Sequence, residues 1–173
     1  STDTREIASR FLGQLGDVQC LLAADATAID EWDPASSSVD EVILAYPGFR
    51  AIAIYRLAHV LQRENVKILP RLMSEIAHEM TGIDIHPGAT IQSPFLIDHG
   101  TGIVIGETTV IGANVKVYQG VTLGATSVRK KMLGVKRHPT IEDDVVLYSN
   151  ATILGGKTVI GRGAVIGANA WVT

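Results

Sequence analysis

The sequence predicts an α+β chain, helical through about residue 80 and a stacked solenoid of short strands over residues 81–173. Three observations carry this reading. Aliphatic residues recur at every sixth position: Ile85, Ile91 and Ile97; then Ile105, Ile111, Val117 and Leu123; then Ile141 and Leu147 and, after a slip of one, Leu154, Ile160, Ile166 and Val172. Six steps of about 100° leave successive residues about 240° apart on a helix, whereas in extended chain they share one side. Glycine follows the aliphatic in Ile105-Gly106, Ile111-Gly112, Leu123-Gly124, Ile160-Gly161 and Ile166-Gly167, which suits a corner. Only Gly13, Gly16 and Gly48 of the 17 glycines precede residue 82. Position four of most repeats is small or branched: Ala89, Thr101, Thr109, Val115 and Val121. An ordinary β-sandwich does not require so long a register.

The elements follow in order. A first helix is expected from near Thr4 to about Ala24, and Asp33-Pro34 interrupts the chain. Ser38-Val39-Asp40-Glu41 reads as a capping box opening a short helix, which Pro47-Gly48 ends. Phe49 to Glu64 has helical periodicity, with Ile52, Tyr55 and His59 on one face and Phe49, Ala53, Leu57 and Val60 on another. A last helix runs from about Leu69 to Met80 with Pro70 in its first turn, and Gly82 ends it. On these helices His59 and His78 read as hydrogen-bonded or edge histidines, and Trp32 as packing.

Composition sets limits. A hydrophobic fraction of 46% supports a core, and a net charge of −3 gives no reason for non-specific nucleic-acid binding. Cys20 is alone, so no internal disulfide forms, which fits a reducing cytosol. There is no apolar signal core and no run long enough to span a bilayer, so a cytoplasmic protein is expected. The pattern stops at Thr173 in mid-repeat, which reads as a trimmed chain.

Two segments carry chemistry. Ile97-Asp98-His99-Gly100-Thr101-Gly102 places an acid and a base at a coil edge. Between Ala125 and Thr140 the hexad fails, and Arg129, Lys130, Lys131, Lys136, Arg137 and His138 occur without an acid. In a solenoid this is an extruded loop, either simply solvated or a clamp over an anionic ligand.

These residues, with Asp84-Ile85-His86-Pro87, the continuation Ile103-Val104-Ile105-Gly106-Glu107-Thr108, Val121-Thr122-Leu123-Gly124 and Arg137-His138-Pro139, resemble the serine O-acetyltransferases. Asp33-Pro34-Ala35, Gly48-Phe49-Arg50-Ala51 and Tyr55-Arg56-Leu57-Ala58-His59 extend the resemblance over about residues 25 to 172. It implies a left-handed parallel β-helix of triangular section. It also implies trimers with active sites between neighbouring solenoids, two of which often join as a hexamer. The implied reaction moves acetyl from acetyl-CoA to the hydroxyl of L-serine, giving O-acetylserine for cysteine synthesis, without a metal.

The resemblance also assigns residues. His99 is the general base, since a serine hydroxyl is a poor nucleophile until its proton is removed. Asp84 steadies the imidazolium that forms. Asp33 and Asp98 hold the substrate amine, and Arg137 and His138 its carboxylate, for which guanidinium is a two-pronged donor. Backbone N–H groups near Gly124 and Ala125 face the thioester oxygen, and Ser149 is a coenzyme contact. L-Cysteine, sharing serine's amine and carboxylate, is the expected inhibitor. Ala125 stands where the family pattern has glycine, and Tyr148-Ser149-Asn150 where some members have only small residues. The alternatives are an acetyltransferase of another small acceptor, a zinc carbonic anhydrase using His86, His99 and His138, and a non-catalytic trimeric scaffold.

Overall fold

The computed structural model describes residues 3–127 and 135–173, so Arg129, Lys130 and Lys131 of the expected basic loop lie outside the described residues. The expected first helix is two, α1 (Thr4–Gly13) and α2 (Leu15–Trp32), meeting at Gln14. Gly13 and Gly16 flank the junction, and glycine is a weak helix former. α2 runs past Ala24 because Ala26 and Ile29 bury in the common core. It stops at Trp32 because Pro34 disfavours the helical region for Asp33, which takes φ −90°, ψ 107°.

α3 (Val39–Ala45) starts at the expected cap, with Ser38 Oγ accepting from Glu41 N–H at 3.2 Å. The Glu41 carboxylate reaches back to Ser37 N–H at 2.8 Å, one residue beyond the box. α4 (Pro47–Arg63) begins on the proline expected to separate two helices, because a missing N–H costs nothing at a first position. α5 (Leu69–Thr81) closes on Gly82 at φ 72°. No helix among the described residues is long and apolar enough to cross a membrane.

The strands form a left-handed parallel β-helix, an exception to the right-handed crossover rule. Among the described residues sheet A stacks β1 (Asp84–Ile85), β4 (Val104–Ile105), β7 (Thr122–Gly124), β10 (Thr152–Leu154) and β13 (Trp171–Val172). Sheet B stacks β2 (Thr90–Ile91), β5 (Val110–Ile111), β8 (Thr140–Ile141) and β11 (Val159–Ile160). Sheet C stacks β3 (Phe95–Asp98), β6 (Val115–Tyr118), β9 (Val146–Leu147) and β12 (Val165–Ile166). Ile105, Ile111, Leu123, Ile141 and Leu147 are buried inside the prism, each worth about 1.5–3 kcal/mol.

Two sequence assignments shift by a corner. Ile153, in register with Leu123, takes the inward place expected of Leu154, which is only partly buried. The extra residue therefore follows β10, where Gly155 adopts φ 103°. Thr101 is exposed, and Ile103 fills the inward position expected of it.

A buried ion pair fastens the helices to the solenoid. Arg56 donates from Nε and Nη2 to the two Asp25 oxygens at 2.6 and 2.8 Å, from Nη1 to the Ile91 carbonyl at 3.3 Å and from Nη2 to the Gln92 carbonyl at 3.2 Å. Asp25 Oδ1 also accepts from Ser93 Oγ and Phe95 N–H, both at 2.9 Å. α2 and α4 thus grip the corner between β2 and β3.

Candidate active site

His99 stands on a bulge at the edge between sheets C and A. The step from Val117 to Leu123 across this edge is six residues, but from Ile97 to Ile105 it is eight. The two extra residues push the chain outward. His99 takes φ 57° and Gly100 φ 92°, and a Cβ on Gly100 would lie 2.5 Å from Ile83 Cδ1. The His99 side chain is 73% exposed, with Nε2 3.7 Å from Asp98 Oδ1.

Beneath the bulge is a concavity of about 500 Å³ whose walls include Asp33, Tyr46, Gly48, Asp98, His99 and Thr101. A Cβ on Gly48 would meet Ile97 O at 2.7 Å, so only glycine lets α4 approach β3 this closely. Asp33 follows α2, and its oxygens accept from Ala35 N–H at 2.8 Å and Tyr46 O–H at 2.7 Å. The sequence-predicted residues Asp33, Asp98 and His99 therefore meet.

Arg137 and His138 occupy a different edge, between sheets A and B. The His138 ring lies against Gly106, where a Cβ would fall 2.0 Å from its Cδ2. Thr108 N–H donates to His138 Nδ1 at 3.1 Å, and since an amide only donates, the proton of the neutral ring sits on Nε2. Burial first, then Arg137, lowers the His138 pKa to about 4. Arg137 pairs with Glu107, and that bond holds the Glu107 carboxyl below its ordinary range. Glu107 and Thr108 appear in the family motif without a role; that they lie one coil below Arg137 and His138 is visible only once the coils are stacked.

The low His138 pKa gives a stability prediction. The unfolded imidazole, at about 6.5, binds its proton before the folded one does. Stability therefore falls as pH drops from about 6.5 to about 4, by on the order of 3 kcal/mol for this group. Denaturant melts across that range should show the loss, and His138→Asn should flatten it; an unchanged slope in the variant would contradict the assignment.

The remaining residues divide between the two edges. Gly124 closes β7 and Ala125 follows on the A–B edge, whereas Ser149 follows β9 on the C–A edge, where Asn150 N–H bonds Gln119 O. Asp84 opens β1 on sheet A, one coil below Val104. The four residue steps from Gly120 to Gly124 across sheet A span roughly 13 Å at about 3.3 Å each. One protomer therefore does not bring His99 to Arg137 and His138. Of the three histidines weighed as zinc ligands, His86 and His138 share the A–B edge and His99 does not.

Sequence reasoning also missed an aromatic row. Tyr118 pairs in register with Asp98, stacks on Tyr148 at 5.0 Å between centroids, and meets Trp32 edge-on at 5.6 Å. Burial, and then the Asp98 charge, raise the Tyr118 pKa. Tyr148 stood out as a departure from the family; its partner was hidden because 30 residues separate the two rings.

The hexapeptide repeat of succinyl-transferase matches residues 102–128 and 140–173. A serine acetyltransferase of Bacillus licheniformis is 51% identical over 152 residues, 88% of this chain and 68% of the relative. The plasmid serine acetyltransferase of Synechococcus elongatus is 48% identical over all of this chain, which spans 56% of that relative's length. The structure of Entamoeba histolytica serine acetyltransferase 1 in complex with L-cysteine superposes with a TM-score of 0.92 at 41% identity, covering 98% of this chain and 64% of that one. Fold, length of match and identity together place the chain in the serine acetyltransferase family.

Proposed function

We propose that this chain transfers acetyl from acetyl-CoA to the hydroxyl of L-serine, at a site completed between two protomers of a trimer. The observation that carries the reading is the division of the site. The C–A edge holds a base and two carboxylates, and the A–B edge holds a guanidinium and an imidazole N–H. An α-amino acid needs both sets, and the edges are too far apart within one chain. Three-fold packing that sets one edge against the next protomer's other edge supplies both.

In this reading residues 1–80 support the site and 81–173 carry it, in a cytoplasmic enzyme that is a trimer or a pair of trimers. Asp33 and Asp98 take the ammonium group. Arg137 and His138 of the neighbour take the carboxylate, the guanidinium shifting from Glu107 and Nε2–H donating. His99 removes the hydroxyl proton during attack, and the resulting imidazolium is steadied by Asp84, one coil below, with Asp98 alongside. Acetyl-CoA supplies the acyl group as a thioester. The half-buried backbone at Gly124 and Ala125 offers N–H groups for its developing oxyanion, and Ser149 a contact from the opposite edge. L-Cysteine fits the same amine and carboxylate groups, and the related Entamoeba enzyme binds it.

Release of free CoA from acetyl-CoA, followed over a panel of hydroxyl acceptors, tests this. Turnover is expected with L-serine and not with 3-hydroxypropionate, which lacks the amine. Equal rates on both, or none on serine, would contradict the proposal.

A further inference from the structure

Asp33 is held from two directions. The Ala35 N–H bond is the local one an aspartate makes to its own turn. The Tyr46 O–H bond comes from a separate element, 13 residues on, between α3 and α4. Tyr46 is itself pinned. Its N–H donates to Val42 O at 3.2 Å, its carbonyl accepts from Arg50 N–H at 3.1 Å, and Gly48 packs on Ile97 two residues later. Its half-buried ring lines the same concavity as Asp98 and His99. A phenol, with an ordinary pKa of about 10, is a donor at neutral pH, and the bond to Asp33 raises its pKa further.

We propose that Tyr46 is a positioning residue for the acceptor's ammonium group, its hydroxyl fixing the Asp33 carboxylate so that the free lone pairs face the ammonium beside Asp98. This rests on the site being one for acetyl transfer to L-serine. An ionised carboxylate has about four acceptor positions, and Ala35 and Tyr46 use one on each oxygen. The terminal torsion of aspartate is broad, so the Ala35 bond alone leaves the group free to turn. Tyr46 closes that freedom, and the remaining acceptor positions keep one direction.

Tyr46→Phe keeps the ring and removes only the hydroxyl. In the full chain it should raise KM for L-serine by about 5–30-fold while kcat stays within about twofold. KM for acetyl-CoA should not move and the melting temperature should fall by no more than a few degrees, whereas a merely structural role would lower the melting temperature and leave KM for serine where it was. The route through Asp33 is tested by a double-mutant cycle. Asp33→Ala should raise KM for serine, and adding Tyr46→Phe to it should raise KM no further. If the two effects multiply, or if Tyr46→Phe leaves KM for serine unchanged in an enzyme that turns serine over, the inference is overturned alone. A wild-type protein inert toward serine overturns the functional reading and this inference with it.

Discussion

Replacing His99 by alanine lowers kcat by about 10²–10⁴-fold, the contribution expected of a general base. The loss is chemical rather than structural, because the ring is 73% exposed. Backbone conformation sets the control. His99 takes φ 57°, a region that asparagine tolerates and alanine does not. His99→Asn should therefore melt with the wild type, while His99→Ala loses on the order of 1 kcal/mol. Both should lose activity equally in steady-state assays at saturating substrates. A His99→Asn enzyme that keeps more than about a tenth of wild-type kcat would contradict the assignment of the base.

Arg56→Ala carries the largest expected cost in stability, about 3–5 kcal/mol. Its side chain is 3% exposed and that of Asp25 is fully buried, so the change strands a carboxylate out of water. Ser93 Oγ and Phe95 N–H still bond it, but no cation remains. Asp25→Leu with Arg56→Met should cost clearly less than Arg56→Ala, because an apolar pair strands no charge. Urea unfolding with linear extrapolation measures both. A loss below about 1 kcal/mol for Arg56→Ala would show that the pair does not hold α2 and α4 to the corner between β2 and β3. Asp25 was not singled out from sequence, and Arg56 stood only within a family motif, without a role. Each reads as an ordinary charged position on an amphipathic helix, and 31 residues separate them.

The solenoid was legible because its physics is periodic. Inward positions must be aliphatic at every turn, so Ile105, Ile111 and Leu123 announce themselves. Corners are less regular, and there the reading slipped. Placing the extra residue before Leu154 rather than after Ile153 turned on a choice between adjacent aliphatics, which only pairing with Leu123 decides. The eight-residue step that projects His99 was visible as a change of frame, and the site lies on that irregularity. The helix start at Ser38 and the stop at Gly82 were legible because each is a local backbone rule, whereas the helix expected to end at about Ala24 runs on to Trp32, next to Asp33-Pro34. Contacts between distant segments were not, including Tyr46 with Asp33, Thr108 with His138, and Tyr118 with Tyr148. Nothing in their spacing encodes them.

The shared site is tested most directly by mixing two inactive parents. His99→Ala disables the C–A edge and His138→Asn the A–B edge, and neither change touches the other edge. Co-expressed in equal amounts with different tags and purified as verified mixed assemblies, the two should recover activity. In a closed three-fold ring with head-to-tail interfaces every mixed trimer has one of its three sites with both edges intact, so about a third of wild-type activity is expected. Mixed trimers no more active than either parent would place His99 and His138 in the site of a single chain and contradict a site completed between protomers.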